Sequence, residues 1–159
     1  MIRYLLPLLP ILLLSCSPKS SFMADVTPFE GEWISLTLIK GERVIYNSCD
    51  GGNLLLTLSR EELGYTLLLH GEQEDTPMTV VGSSQQTDTL IMTCATRGWS
   101  GNQKVKVVWQ DRKQGLAHWV IQQANRNIRS GGFVSASHKK AFKEIDQPCR
   151  ECWGDDCDD

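Results

Sequence analysis

Hydrophobic and polar residues alternate along most of this chain in short runs, which is the pattern of half-buried β-strands. The alternation is clearest at residues 104–109, where lysine and valine exchange faces, and at residues 34–38. Connections rich in Gly, Asn and Asp separate the runs, and their shortness favours antiparallel hairpins over helical crossovers. The pattern predicts nine strands, at residues 31–39, 43–47, 53–59, 65–70, 78–83, 89–95, 104–110, 117–122 and 132–137.

Almost no helix accompanies these strands. The pattern predicts one helical piece, at residues 137–145, which ends before Pro148. We therefore expect an all-β fold, an antiparallel up-and-down barrel or a sandwich of about eight or nine strands, because closure removes the exposed edges of a long meander. The 159 residues suit one domain with its own core, and no internal repeat indicates a propeller or a solenoid.

The first sixteen residues form a different kind of segment. Arg3 precedes an apolar run at residues 5–14, which is well short of the ~20 residues needed to span a bilayer. A basic residue followed by a short apolar run is typical of a cleavable export signal. We interpret residues 1–15 as this signal and residues 16–28, which are rich in Ser and Pro, as a tether.

The sequence Leu13-Leu14-Ser15-Cys16 resembles the lipobox of bacterial lipoproteins. The resemblance implies that Cys16 becomes the first residue of the mature chain and carries palmitate-like acyl chains. Cys16 is followed by Ser17 and not by Asp, and in this respect the chain resembles lipoproteins that are sent to the outer membrane. Each buried methylene contributes about 0.8 kcal/mol, so the two or three acyl chains that the resemblance implies would anchor the protein permanently. We expect an envelope protein held in the outer membrane or, in a cell without one, on the outer face of the cytoplasmic membrane.

The charged residues and the motifs limit the function. The formal net charge of −3 lacks the basic excess that nucleic-acid binding requires. His70, His118 and His138 are isolated from one another, and no nucleophile elbow, P-loop or dinucleotide fingerprint is present. We therefore expect a non-catalytic protein without a cofactor, in which residues 29–140 form a barrel that binds a small apolar molecule or an envelope protein.

The sequence Phe29-Glu30-Gly31-Glu32-Trp33 resembles the Gly-x-Trp entry of lipocalins. The resemblance implies an eight-stranded barrel whose closed end is plugged by Trp33. In that case Arg97, Arg126 or Arg129 is the arginine expected to stack on the tryptophan.

A second resemblance gives an alternative function. Tyr46-Asn47-Ser48-Cys49-Asp50-Gly51 is similar to the aromatic-then-cysteine pattern of small lipoprotein inhibitors of lysozyme. This resemblance implies that a Ser-rich loop, here Val134-Ser135-Ala136-Ser137-His138, enters the enzyme cleft.

Five cysteines remain beyond Cys16, and export places them where disulfides form. Cys49 and Cys94 each end a predicted strand, so a disulfide between them would stabilise the barrel by about 3 to 5 kcal/mol. The alternative partner for either is a cysteine of the tail, which would fix the C-terminus to the domain. Because five is an odd number, at least one cysteine is left over.

The Cys- and Asp-rich tail at residues 141–159 holds Cys149, Cys152 and Cys157. These cysteines can form disulfides, lie in a solvated acidic segment, or bind a metal. A zinc ion would need an oxygen ligand from one further residue, and Cu(I) could bind the thiolates alone; the oxygen candidates are Asp155, Asp156, Asp158 and Asp159. A metal-binding or thiol-exchange lipoprotein is therefore a further alternative, although acidic neighbours raise thiol pKa values and slow thiolate chemistry.

Overall fold

The computed structural model describes residues 23–49, 53–71, 74–124 and 126–148. Cys16 and the cysteines of the tail lie outside these ranges. The described residues form eleven strands and two short 3-10 helices, Thr27–Phe29 and Ala136–Ala141. The strands are β1 Gly31–Ser35, β2 Thr37–Ile39, β3 Glu42–Asn47, β4 Leu55–Glu61, β5 Gly64–Leu69, β6 Thr76–Gln86, β7 Thr89–Thr96, β8 Gln103–Asp111, β9 Leu116–Gln123, β10 Arg126–Ser135 and β11 Glu144–Asp146.

Eight of the strands close into an antiparallel barrel. Their order is β1-β10-β9-β8-β7-β6-β5-β4, and β4 pairs with β1 to complete the circle. The predicted all-β barrel is thus confirmed, and the sandwich alternative is set aside. From β4 to β10 each strand pairs with the next along the chain, as the short connections predict.

The barrel interior is filled by alternate side chains of the strands. On β8, Val105 and Val107 are buried, whereas Lys104 and Lys106 between them face outward. Because successive residues of a strand point to opposite faces, this alternation gives one apolar core and one wet surface. The main core holds residues of all eight barrel strands together with Val26 and Phe29, which precede β1.

A three-stranded sheet in the order β11-β3-β2 packs on the outside of the barrel. Its core is formed by Ile45, Leu116 and Val134, with Ile34, Leu36 and Phe142 packed against them. The predicted strand at 31–39 breaks at Leu36, whose backbone N–H donates to the carbonyl of Gly132 over 2.9 Å. From this point the chain leaves the barrel as β2.

The predicted helical piece at 137–145 is confirmed in its first part and wrong in its second. Residues 136–141 form a 3-10 helix, and Glu144–Asp146 form β11, which pairs in parallel with β3. The partner of β11 is β3, about a hundred residues earlier in the chain, so no local sequence pattern predicts this pairing. The ordered part also extends beyond the expected bounds 29–140, since Val26 is buried and β11 follows residue 140. Within the described ranges, no helix has the length and apolarity needed to cross a bilayer.

Candidate functional site

Residues 23–30, which we call the N-terminal segment, lie across one end of the barrel. We call this the N-terminal end; β1 begins there, and the β4–β5, β6–β7 and β8–β9 connections turn there. Ser83 Oγ on β6 donates to the carbonyl of Ala24 over 2.7 Å, and the hydroxyls of Thr27 and Tyr65 are 3.1 Å apart. The segment is therefore tied to β5 and β6 before the chain enters β1.

Aromatic side chains close this end from within. Phe29 stacks on Trp109 with ring centroids 4.7 Å apart, and Trp33 contacts Trp109 and Trp119 at 5.5 and 5.4 Å. Trp33 Nε1 donates to the carbonyl of Phe29 over 2.8 Å, which holds the buried ring in place. The structure thus places Trp33 in the aromatic cluster below the N-terminal segment.

The arginine beside this cluster differs from the three expected ones. Arg112, in the β8–β9 turn, lies with its guanidinium carbon 5.8 Å from the centre of the Trp109 ring. Arg97 and Arg126 flank connections at the opposite end of the barrel, and Arg129 is exposed on β10. The stacking prediction for those three is wrong, because the cation comes from the turn next to the cluster.

The interior beyond the cluster is densely filled. Leu56, Leu67, Met78 and Met92 are fully buried. Gln103, a buried polar residue, accepts from Thr96 Oγ1 over 2.7 Å and donates to the carbonyl of Gly101. Side chains from several strands therefore occupy the part of the interior that these residues line.

An apolar groove lies on the surface between the N-terminal segment and strands β5 and β6. Its volume is about 520 Å³, within the usual range for ligand pockets. Leu63 in the β4–β5 turn is fully exposed, and Met23 and Val81 are about half exposed. The complete lining is Met23, Ala24, Asp25, Val26, Leu63, Gly64, Tyr65, Thr79, Val80, Val81 and Ser83.

One carboxylate borders this apolar groove. Asp25 Oδ1 accepts from the backbone N–H of Thr27 over 3.0 Å, and hydrogen bonds from the side chain and backbone of Thr27 lower the pKa of Asp25. Asp25 therefore stays ionised at neutral pH and marks a polar rim. The sequence reasoning missed the groove, although a leucine in the polar turn Glu61-Glu62-Leu63-Gly64 was a signal for an exposed apolar contact.

The predicted Cys49–Cys94 disulfide is wrong. Cys94 is a free thiol that points into the barrel, and burial raises its pKa to about 12. Cys49 is disulfide-bonded and follows β3 in the outer sheet, with its partner outside the described residues. The two cysteines occupy different layers, one inside the barrel and one outside it. The candidates Cys149, Cys152 and Cys157 lie outside the described residues, and so does the lipidation candidate Cys16.

The histidines remain separate from one another. His70 Nε2 lies 3.0 Å from Thr57 Oγ1, and its Nδ1 lies 3.2 Å from an Asp75 carboxylate oxygen. Carboxylate, imidazole and hydroxyl also follow one another in this order at nucleophilic sites, but here they join the β5–β6 connection to the outside of β4. His118 contacts Ser130, and within the described ranges no three metal-ligating side chains come together.

His138 lies in the segment that resembles the Ser-rich inhibitor loop. Its Nδ1 is 2.8 Å from Ser135 Oγ and 3.0 Å from Ser137 Oγ. These contacts join the end of β10 to the following 3-10 helix, beside the β8–β9 turn. The segment is therefore an ordered corner of the N-terminal end.

No known protein family and no curated protein matches the sequence. Among solved structures, the chain is similar to the crystal structure of Treponema pallidum Tp0751, named pallilysin, with a TM-score of 0.48 and 13% sequence identity. The match covers 69% of this chain and 81% of that one. At these values the likeness carries no argument about function.

Proposed function

We propose that this protein is a non-catalytic envelope lipoprotein, anchored by acyl chains on Cys16, that binds an apolar or amphipathic molecule in the groove beside its N-terminal segment. The observation that supports this most is the groove itself. Its volume of about 520 Å³ and its mainly aliphatic lining suit an acyl chain, and Leu63 extends fully exposed at its edge.

The position of the groove relative to the anchor supports the same ligand class. Met23 lines the groove and follows Cys16 by seven residues, which span at most about 24 Å when extended. A lipid-bearing Cys16 would therefore hold the groove close to a membrane surface. Acyl chains of envelope lipids or of other lipoproteins are the apolar ligands available there.

Ligand binding can be tested with the mature chain carrying Cys16→Ser, which has no acyl chain of its own to fill the groove. We expect a fluorescent fatty acid to bind, and Leu63→Asp to weaken binding at least about tenfold, because it places a charge at the apolar edge. Ile128→Asp is the matched control, since Ile128 is an exposed apolar residue of β10 outside the groove. Equal affinities for Leu63→Asp and the parent chain would remove the groove from the proposal.

The anchor is tested separately in cells. Cells grown with radioactive palmitate should label the protein, and Cys16→Ser should abolish the label. Persistent label in the variant would refute the assignment of Cys16 without affecting the groove experiment.

A further inference from the structure

The charges of this chain are separated onto opposite sides of the barrel. Residues 89–143 contain ten Lys and Arg side chains and a single carboxylate, Asp111. Residues 23–88 contain eleven Asp and Glu but three Lys and Arg. Of the ten cations, Lys104 and Lys106 lie on β8 and Arg126 and Arg129 lie on β10, with β9 between these strands, and the other six lie in connections or after β10. This side of the barrel is therefore basic although the net charge of the chain is negative.

The strand register places polar side chains of this side in rows on its outer surface. Lys104 is opposite Gln122 of β9, which is opposite Asn127 of β10. The next row holds Lys106, Val120 and Ser130, and a third holds Val108, His118 and Gly132. We call the outward side chains of these three rows the basic face.

Within the part of the chain that the structure describes, the cations of the basic face make no ion pair. The ion pairs within the described residues are His70–Asp75 and Lys139–Glu144, and neither lies on this face. Lys104 is exposed, and Lys106 is partly exposed. Their charges are therefore available to an external anion.

The β2–β3 hairpin forms a wall along one side of the basic face. Where Leu36 bonds to Gly132, the β2–β3 hairpin rises from the barrel and leaves a groove of about 270 Å³ against β8, β9 and β10. Arg43 and the exposed Leu38 lie on the wall, and the complete lining is Leu36, Leu38, Arg43, Gln110, His118 and Gly132. Gly132 keeps the groove open because it places no side chain opposite His118.

Hydrogen-bonding side chains other than Lys and Arg lie among the cations. His118 Nε2 is 3.2 Å from Ser130 Oγ, and Gln122 Nε2 donates to Asn127 Oδ1 over 2.7 Å. Amides, imidazole and hydroxyls both donate and accept, so they match a partner rich in hydroxyl groups. Val108 and Val120 between them offer apolar contact to C–H groups.

We propose that the basic face and its groove bind an anionic saccharide, with Arg43, Lys104 and Lys106 contacting its acidic groups. His118, Gln122 and Asn127 would hydrogen-bond its hydroxyls. An acidic peptide or an anionic bilayer would also contact the cations, but each offers fewer hydroxyl groups to these donors and acceptors than a saccharide does. This proposal is independent of the lipid anchor and of the groove beside the N-terminal segment.

The probe is an oligomer of galacturonic acid, with its methyl ester as a neutral control of equal shape. We expect calorimetry on the mature chain to show binding of the acid that weakens as NaCl is raised, and at least tenfold weaker binding of the ester. The double variant Lys104→Glu/Lys106→Glu should reduce the affinity at least tenfold. The matched control Lys113→Glu/Lys140→Glu makes the same change of net charge away from the face and should leave the affinity within about twofold.

A second variant separates the groove from simple charge attraction. Gly132→Thr fills the groove without removing a cation, and a Cβ at this position would meet only Gln110 Oε1, 4.0 Å away. We expect it to weaken oligogalacturonate binding at least fivefold. An unchanged affinity in Gly132→Thr, equal binding of the ester, or tighter binding of poly-aspartate or phosphatidylglycerol vesicles than of the saccharide would each overturn the proposal.

Discussion

Gly115 should be among the least replaceable residues of the N-terminal end. It lies in the β8–β9 turn with φ of +64°, and its carbonyl accepts from the backbone N–H of Ser135 over 2.9 Å. A Cβ at this position would lie 2.5 Å from both His138 Nδ1 and Ser135 Oγ. Those two atoms are themselves 2.8 Å apart, so a methyl group would have to displace the contact between them.

Two costs add in the Gly115→Ala variant. A left-handed backbone costs alanine roughly 1 kcal/mol, and loss of one or two hydrogen bonds adds about 0.5 to 1.5 kcal/mol each. We expect the free energy of unfolding to fall by about 2 to 3 kcal/mol, measured by urea unfolding with tryptophan fluorescence. Gly101→Ala is the matched control, since Gly101 has φ of +76° with nothing within 4 Å of a Cβ, and it should lose only the backbone part.

The comparison of the two variants isolates the cost of the close approach at Gly115. Both variants restrict the unfolded chain equally, so the difference between them reports the contact with Ser135 and His138. His138→Ala introduced into Gly115→Ala should recover part of the loss, because it removes one of the two clashing side chains. Equal destabilisation of Gly115→Ala and Gly101→Ala would refute the reasoning.

Two further predictions concern the barrel interior. Burial raises the pKa of the Cys94 thiol from 9.0 to about 12 in the folded chain. Between these two pH values the thiol ionises in the unfolded chain but not in the folded one. The free energy of unfolding therefore falls as the pH rises through this range. From pH 7 to pH 10 the parent chain should lose about 1.4 kcal/mol more unfolding free energy than Cys94→Ala, and parallel losses in urea titrations would contradict this. Trp33→Phe should cost about 1 to 3 kcal/mol, since it removes the bond to Phe29 and leaves a void. The partly buried loop residue Trp99 gives the control Trp99→Phe, expected within about 0.5 kcal/mol in the same assay.

The strands were predictable because their signal is local. On β8, the order Lys104-Val105-Lys106-Val107 predicts that the lysines face water and the valines face the core. The structure confirms this arrangement. The same alternation on β7 argues against the predicted Cys49–Cys94 disulfide. Cys94 follows Leu90 and Met92 at a spacing of two, so the pattern places it with them on the buried face rather than toward a surface partner.

The candidate sites were less predictable because distant residues build them. The groove beside the N-terminal segment depends on contacts of Ala24 with Ser83 and of Thr27 with Tyr65, which are 59 and 38 residues apart. No periodicity reports such pairs. The basic face needs the strand order as well, although the scarcity of carboxylates between residues 89 and 143 is visible in the sequence and was a usable signal.

The seam of the barrel joins the beginning of the domain to its end. Trp33 of β1 pairs with Ser135 of β10, and β11 then adds to β3 from still later in the chain. Strand pairs of such long sequence separation form slowly, because the chain loses the entropy of closing a large loop before the new contacts stabilise it. Until β10 arrives, one edge of β1 has no strand to bond, and the tryptophans of the cluster lack part of their cover. The chain therefore commits to its native form only after nearly all of it is available, and a copy interrupted before β10 would be prone to self-association.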